Sequence, residues 1–203
     1  KLIITKLNDE KEDAIKFEYF VNESPDLVCI TNSDSTFKLV NESFIKVLGY
    51  SREELLTKSF LDFVHPDERE VTIAISNTLR EFSKTINFEN SFIKKNGDLV
   101  YLHWISNFDP EKNIVYSIAR NITDIKKTQE KLLSSESSLN EAQKIAKIGS
   151  WDFNLVTQEL NWSNELYKIF GIENKPNDSE LYSKYLSCFL PDDVEELKIN
   201  IGN

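Results

Sequence analysis

Any metal or nucleophilic chemistry in this chain must come from few side chains. His65, His103, Cys29 and Cys188 are its only histidines and cysteines. A catalytic metal centre usually takes three protein ligands, and none of the four sits in an H-x-x-x-H or C-x-x-C spacing. No metal site is expected. His65 lies in FVHPDERE, Phe63–Glu70, directly before an acidic cluster. That stretch reads either as the start of a site or as a turn opening a helix. Pro66 suits a first helical turn, and Asp67 and Glu68 suit the positive end of a helix, so the turn is the better reading. Cys29 sits inside the apolar run Leu27-Val28-Cys29-Ile30 and reads as a small buried hydrophobe, a redox or thiol-adduct role being the alternative. Five glycines leave no phosphate-cradling loop, and no nucleophile–base–acid set is legible. No catalytic residue is expected in this stretch.

Composition narrows the class further. The chain has 203 residues, 40% of them hydrophobic and 13 of them Phe, enough for one large domain or two small ones. Its net charge of −10 comes without a basic stripe, which excludes a general nucleic-acid binder. No run reaches the length of a membrane span and no signal-peptide pattern opens the chain. With no disulfide framework, a cytoplasmic setting is expected, a membrane anchor elsewhere in a longer protein staying open.

The elements that would position a site follow from period and punctuation. Asn8–Val21 has its apolar residues at helical spacing, and Ser24-Pro25-Asp26 ends it. Leu27–Thr31 and Phe37–Val40 read as strands joined by the turn NSDS. Asn41 caps a helix that stops at Gly49, and Ser51-x-x-Glu54 has capping-box spacing. Pro66 begins another helix, running to about Leu79. Thr85–Lys95 has period two, with Ile86, Phe88, Asn90 and Phe92 on one side. Asn96-Gly97 turns the chain into Leu99–Phe108, and Ile114–Ile122 follows as a third long strand. The expected fold class is α+β, a five-stranded antiparallel sheet with short helices across one face. Both phases of Leu99–Ile105 are apolar, so both faces of that strand should be covered. Trp104 is assigned to the outer face, under Phe17, Phe20 and Val21 of the first helix or a dimer mate.

From Asp124 to Ile148 the chain lacks Pro and Gly. Ile125, Leu132, Leu139 and Ala146 fall seven apart, with small residues at Thr128, Ser135 and Ala142. This thin heptad seam suits a parallel helical pair; a lone helix on its own domain is the alternative. Beyond it the pattern restarts. Ser150–Phe153 and Gln158–Trp162 read as strands, and Ser163–Gly171 repeats the cap, apolar positions and closing glycine of Asn41–Gly49. Phe189–Asp193 matches Phe63–Glu68 with Leu190 at the place of His65. The second copy stops before its three long strands, so about 40 further residues are expected to complete it.

In this order and spacing, SPDLVCITN, VNESFIKVLGYSREEL, FVHPDERE, KKNGDLVYLHW and IARNITDIKK resemble a PAS domain, a sensory module common in bacterial signalling proteins. AQKIAKIGSWDFN, WSNELYKIFGI and FLPDDVEEL resemble part of a second. The resemblance implies an N-terminal amphipathic helix (1–22), a first PAS domain (23–123), a connecting signalling helix (124–148) carrying Ile125, Leu132, Leu139 and Ala146, and a partial second PAS domain (149–203). It departs from the family at Asn121, where Asp is usual, so the pairing of that position with a basic residue should weaken.

Haem-binding relatives usually carry their histidine on the long helix, and Val71–Leu79 has none. Flavin-adduct relatives carry a cysteine where this chain reads Lys58-Ser59-Phe60-Leu61-Asp62. Neither haem nor flavin is expected, and no other cofactor is evident. What remains is a pocket between sheet and helices. Its candidate wall is Val28, Ile30, Phe44, Leu48, Phe60, Val64, Ile75, Phe88, Asn90 and Phe92, all of which simple core packing would also explain. Asn90, polar among Phe88 and Phe92, needs a partner: ligand, water or backbone. The expected function is the sensory and dimerisation region of a signalling protein, relaying a signal through the connecting helix to a downstream output domain in the same chain, by resemblance a histidine kinase. A homodimer is the expected partner state, with a small-molecule ligand left open. The alternatives are a protein-interaction module without a small-molecule ligand and the sensory region of a cyclic dinucleotide enzyme.

Overall fold

Local capping chemistry sets many of the element ends in this chain. The computed structural model describes residues 2–82, 85–154, 156–157, 159–172, 181, 187 and 190, with side chains from residue 12 onward. The chain divides into two units, Lys1–Thr128 and Gln129–Asn203.

The first unit runs α1 (Leu2–Glu23), β1 (Leu27–Asn32), β2 (Phe37–Val40), α2 (Glu42–Leu48), α3 (Arg52–Leu56), short 3-10 turns at Phe60–Asp62 and Pro66–Glu68, α4 (Arg69–Phe82), β3 (Ile86–Ile93), β4 (Leu99–Asp109) and β5 (Ile114–Asn121). From it emerges α5 (Thr123–Ala146), which continues into the second unit. The five strands form one sheet in the order β2-β1-β5-β4-β3, every neighbouring pair antiparallel. This is the α+β architecture expected, with the short helices across one face.

Asn41 shows how the caps work. Its Oδ1 accepts from Phe44 N, capping α2, and also from Val28 N at 3.1 Å. Its Nδ2 donates to Val21 O and Asp26 O at 2.9 and 3.0 Å, so one fully buried amide ties the end of α1, the start of β1 and α2 together. Gly49 closes α2 at φ 78°, a left-handed conformation that glycine adopts without strain. The capping box forms in full: Ser51 Oγ accepts from Glu54 N, and Glu54 accepts from Ser51 N. Lys95 at 2.7 Å and the Ser51 N–H hold the Glu54 carboxyl below its usual range. His65 is the residue before the 3-10 turn at Pro66, its side chain making no cap bond.

The core lies between the helices and one face of the sheet. Phe44, Leu48, Leu55 and Val64 from the helical side meet Leu27, Val40, Phe92, Val100, Leu102 and Trp104 from the sheet. Trp104 is only 4% exposed and belongs to this inner face, packed among Phe44, Phe88 and Phe92. This corrects its assignment to the outer face. Because β4 is apolar in both phases, alternation alone does not say which phase points in. The outer phase stays open to solvent, with Ile105, Tyr116 and Ile118 exposed at 44%, 39% and 48%. Nor does α1 cover it with its aromatic residues, since Phe17 and Phe20 are themselves largely exposed.

Both rims of the sheet are engaged. Beside β3, His65 N donates to Ser91 O and Ile93 N to Phe63 O, with a β-bridge between Val64 and Phe92. Beside β2, Thr36 bridges Ser59, Phe60 N donates to Ser35 O, and Arg52 Nη1 donates to Val40 O.

The second unit holds the C-terminal part of α5, then β6 (Trp151–Phe153), β7 (Leu160–Trp162) and α6 (Asn164–Ile169). β6 and β7 pair antiparallel, Trp151 opposite Trp162. Ser163 Oγ accepts from Leu166 N, and Gly171 takes φ 64°, as Asn41 and Gly49 do around α2. A side chain at Gly149 would stand 2.4 Å from Leu166 Cδ1, so only glycine fits there. Cys188, Gln158 and most of the Phe189–Asp193 turn lie outside the described residues. Among the described residues, no helix is long and apolar enough to cross a membrane.

Candidate ligand cavity of the first unit

A cavity of about 50 Å³ sits between α4 and the inner face of the sheet. α4 contributes Thr72, Ile75, Ser76 and Leu79. Their spacing of three and four places them on one helical side, facing the strands. β1 supplies Cys29 and Thr31, β5 Val115 and Ser117, β4 Trp104 and Ser106, and β3 Phe88, Asn90 and Phe92; Phe37 and Phe60 complete the wall.

Five residues of the expected wall line the cavity: Phe60, Ile75, Phe88, Asn90 and Phe92. Phe44, Leu48 and Val64 are fully buried in the adjoining core instead. Val28 and Ile30 alternate out of phase with buried Leu27, Cys29 and Thr31, so they lie on the other face of β1. The run Leu27–Ile30 is apolar throughout, and sequence phase did not distinguish its faces. The pairing does: Cys29 stands opposite Val40 and Ser117, all buried, whereas Ile30 stands opposite the exposed Leu39 and Tyr116. Sequence reasoning missed Thr31, Thr72, Ser76, Ser106, Ser117 and Trp104. Hydroxyl residues on strands and helices read as surface, and only strand pairing together with the packing of α4 on the sheet brings them to one cavity.

The polar atoms in the wall bond to one another. Trp104 Nε1 donates to Asn90 Oδ1 at 2.7 Å, and Asn90 Nδ2 donates to Thr72 Oγ1 at 3.2 Å. The partners of Asn90 are thus an indole and a hydroxyl, linking β4 through β3 to α4. Ser106 and Ser117 share a hydrogen bond of 2.8 Å across β4 and β5. Burial pushes the Cys29 thiol well above its ordinary range, while the Ser117 hydroxyl beside it pulls slightly the other way, so Cys29 stays protonated. A neutral, buried thiol is a poor nucleophile.

β5 joins the cavity wall to the start of α5 in sequence. That strand lends Val115 and Ser117 to the wall and ends at Asn121, directly before α5. Two bonds fasten the junction to β4: Ile122 N donates to Tyr101 O at 2.9 Å, and Tyr101 N donates to Thr123 Oγ1 at 3.0 Å. Asn121 Oδ1 accepts from Thr123 N at 3.0 Å, and Lys126 of α5 pairs with Glu89 of β3 at 2.7 Å. The basic neighbour of Asn121, Arg120, pairs instead with Asp26 at 3.1 Å.

Comparison with known proteins agrees with this geometry. Residues 25–124 match the family model described as PAS domain. The chain is 21% identical over 177 residues to the probable diguanylate cyclase DgcE of Escherichia coli, an alignment covering 82% of this chain and 15% of that protein. It is 31% identical over 91 residues to the human period circadian protein homolog 3, covering 42% of this chain and 8% of that protein. The chain therefore spans a small part of either relative. Among solved structures, the PAS domain of the HTR-like protein from Haloarcula marismortui superposes with a TM-score of 0.49 at 23% identity, covering 58% of this chain and 98% of that one. The matched residues coincide with the five-stranded sheet, its helical cover and its cavity, and residues 25–124 of this chain are a PAS sensory domain.

Proposed function

We propose that the chain is a sensory relay: the state of the first-unit cavity sets the packing of β5, and β5 passes it to α5. The observation that carries this reading is the continuity from Ser117 in the cavity wall to Thr123 at the head of α5, with the junction clamped to Tyr101. α5 in turn exposes Ile125, Leu132 and Leu139 at 55%, 60% and 59%, seven residues apart, an arrangement suited to pairing with the same helix of a second copy. The matching caps at Asn41–Gly49 and Ser163–Gly171 support a second PAS-like copy after α5. The small cavity supports the view that neither haem nor flavin is the resident ligand.

The output is proposed to be a histidine kinase, as the resemblance implies. One observation favours a second reading, a cyclic dinucleotide synthase: the alignment to a probable diguanylate cyclase covers both units rather than the PAS domain alone. Assaying the full-length protein for autophosphorylation from ATP and for cyclic dinucleotide from GTP separates the two. The relay itself is tested by shortening α5 between residues 129 and 142 in the full-length protein. Removal of a heptad preserves the seam and should preserve regulation. Removal of three residues rotates everything downstream and should abolish it. Regulation indifferent to both deletions would rule out the relay.

A further inference from the structure

We infer that the first-unit cavity takes a neutral, hydrogen-bonding solute of a few heavy atoms and rejects ions of the same size. The inference rests on reading the first unit as the input module and specifies what that input accepts.

Volume sets the size. A cavity of roughly 150 Å³ admits benzene. At about 50 Å³ this one limits a guest to a few non-hydrogen atoms. Ring systems and nucleotides are too large.

The wall sets the chemistry. None of the described residues lining the cavity is charged. An ion entering it would lose its hydration shell and meet no counter-charge. Cys29, held protonated by burial, supplies none either. Yet the wall is not purely apolar. A hydroxyl carries one donor hydrogen and two acceptor lone pairs. The Ser106–Ser117 pair makes one mutual bond, and Ser117 also bonds to Cys29, which leaves acceptor lone pairs on the two hydroxyls for a guest that donates. Thr72 Oγ1 accepts from Asn90 and keeps its own hydrogen to donate. The remaining wall, including Phe88, Phe92 and Leu79, suits methyl or methylene groups. The matching guest has one neutral polar end and one short apolar end, as in a small alcohol or primary amide. Its polar end would bond either to the serine pair on β4 and β5, of which Ser117 belongs to the relay strand, or to the Asn90–Thr72 link between β3 and α4.

The test is a titration of the ¹⁵N-labelled 203-residue chain with acetamide and 1-propanol, and with acetate and ethylammonium as ions of similar shape. The reporter is the Trp104 indole N–H, bonded to Asn90 in the wall and identified by its loss in Trp104→Phe. Acetamide and 1-propanol should shift it saturably. Ligand-efficiency limits put the dissociation constant no tighter than about tens of micromolar. Acetate and ethylammonium should bind at least tenfold more weakly. Ser76→Leu, which fills the cavity from α4, should abolish the shift, and Ser117→Val should weaken binding about tenfold; dispersed amide signals identify the variants that remain folded. Equal binding of acetate and acetamide, no saturable shift with either neutral probe, or undiminished binding in both variants would overturn the inference. Saturable binding that leaves the amides of residues 122–126 unmoved supports the ligand class and sinks the relay. Movement of those amides in Ser76→Leu, with no neutral probe binding to the parent chain, does the reverse.

Discussion

Trp104 and Asn90 fix each other across adjacent strands, and that bond explains why an amide sits in an aromatic core. Replacing Asn90 with Leu leaves a buried indole N–H without an acceptor, which costs about 1–3 kcal/mol. Urea unfolding followed by tryptophan emission should show both the loss and a changed native emission. A cost near zero would mean that the indole finds another partner. Cys29 carries a pH signature. Its folded pKa lies above the ordinary value of 9.0, so its contribution is fully present below that pH and is lost as pH rises toward the folded value. Between roughly pH 9 and 10.5 the chain should lose up to about 1.4 kcal/mol per pH unit more than Cys29→Ala does. Parallel slopes for the two chains, measured by urea midpoints, would refute this. At this scale the sequence was half legible. Asn90 stood out because it interrupts a phenylalanine stripe on a strand of clear period. Trp104 did not, because Val100–Ile105 is apolar in both phases, and only the Phe88–Trp104 register decides its face.

Elements were more legible than faces, because their ends are written in local chemistry. The cap at Asn41, the box at Ser51–Glu54 and the turn at Asn96-Gly97 need no tertiary context. What context adds is the double use of Asn41. As a cap alone, its replacement by Ala would cost about 1 kcal/mol. As a buried amide satisfying β1, α1 and the segment at Asp26 as well, it should cost about 3 kcal/mol or more. Thermal or urea unfolding distinguishes these values. The junction offers a second test. Thr123→Val keeps the shape but removes the acceptor for Tyr101 N–H, costing about 1–3 kcal/mol. In the full-length protein the same change should uncouple the cavity from output, and intact regulation would show that the clamp is dispensable. The wall hydroxyls escaped sequence reading for a related reason: Thr72 and Ser76 lie on α4, Ser106 and Ser117 on strands, and nothing local to any of them announces a cavity.

For the molecule as a whole, the proposed pairing of two copies would draw on exposed apolar surface. Leu132 and Leu139 on α5 are the sharpest case, since their spacing is regular and their exposure high. Replacing both with Asp should shift sedimentation of the chain to the monomer, while an unchanged assembly would move the contact elsewhere, the open Ile105–Ile118 face of the sheet being next in line. The first unit carries its own sheet and core, so a fragment ending at residue 131 should melt in one cooperative transition.

The occupied rims of the five-stranded sheet have a different consequence. A bare strand edge is a template on which copies add without limit, and natural sheets guard against it. Here residues 63–65 lie along β3, while Ser59, Phe60 and Arg52 take up groups along β2. Prolonged heating of the first unit short of unfolding should therefore produce no thioflavin-positive fibres. Loosening the rim by His65→Pro, which removes the N–H bonded to Ser91 O, should make them appear while the five strands still pair. On this view the FVHP turn, whose His65 N–H bonds to Ser91 O on β3, serves as a guard against polymerisation.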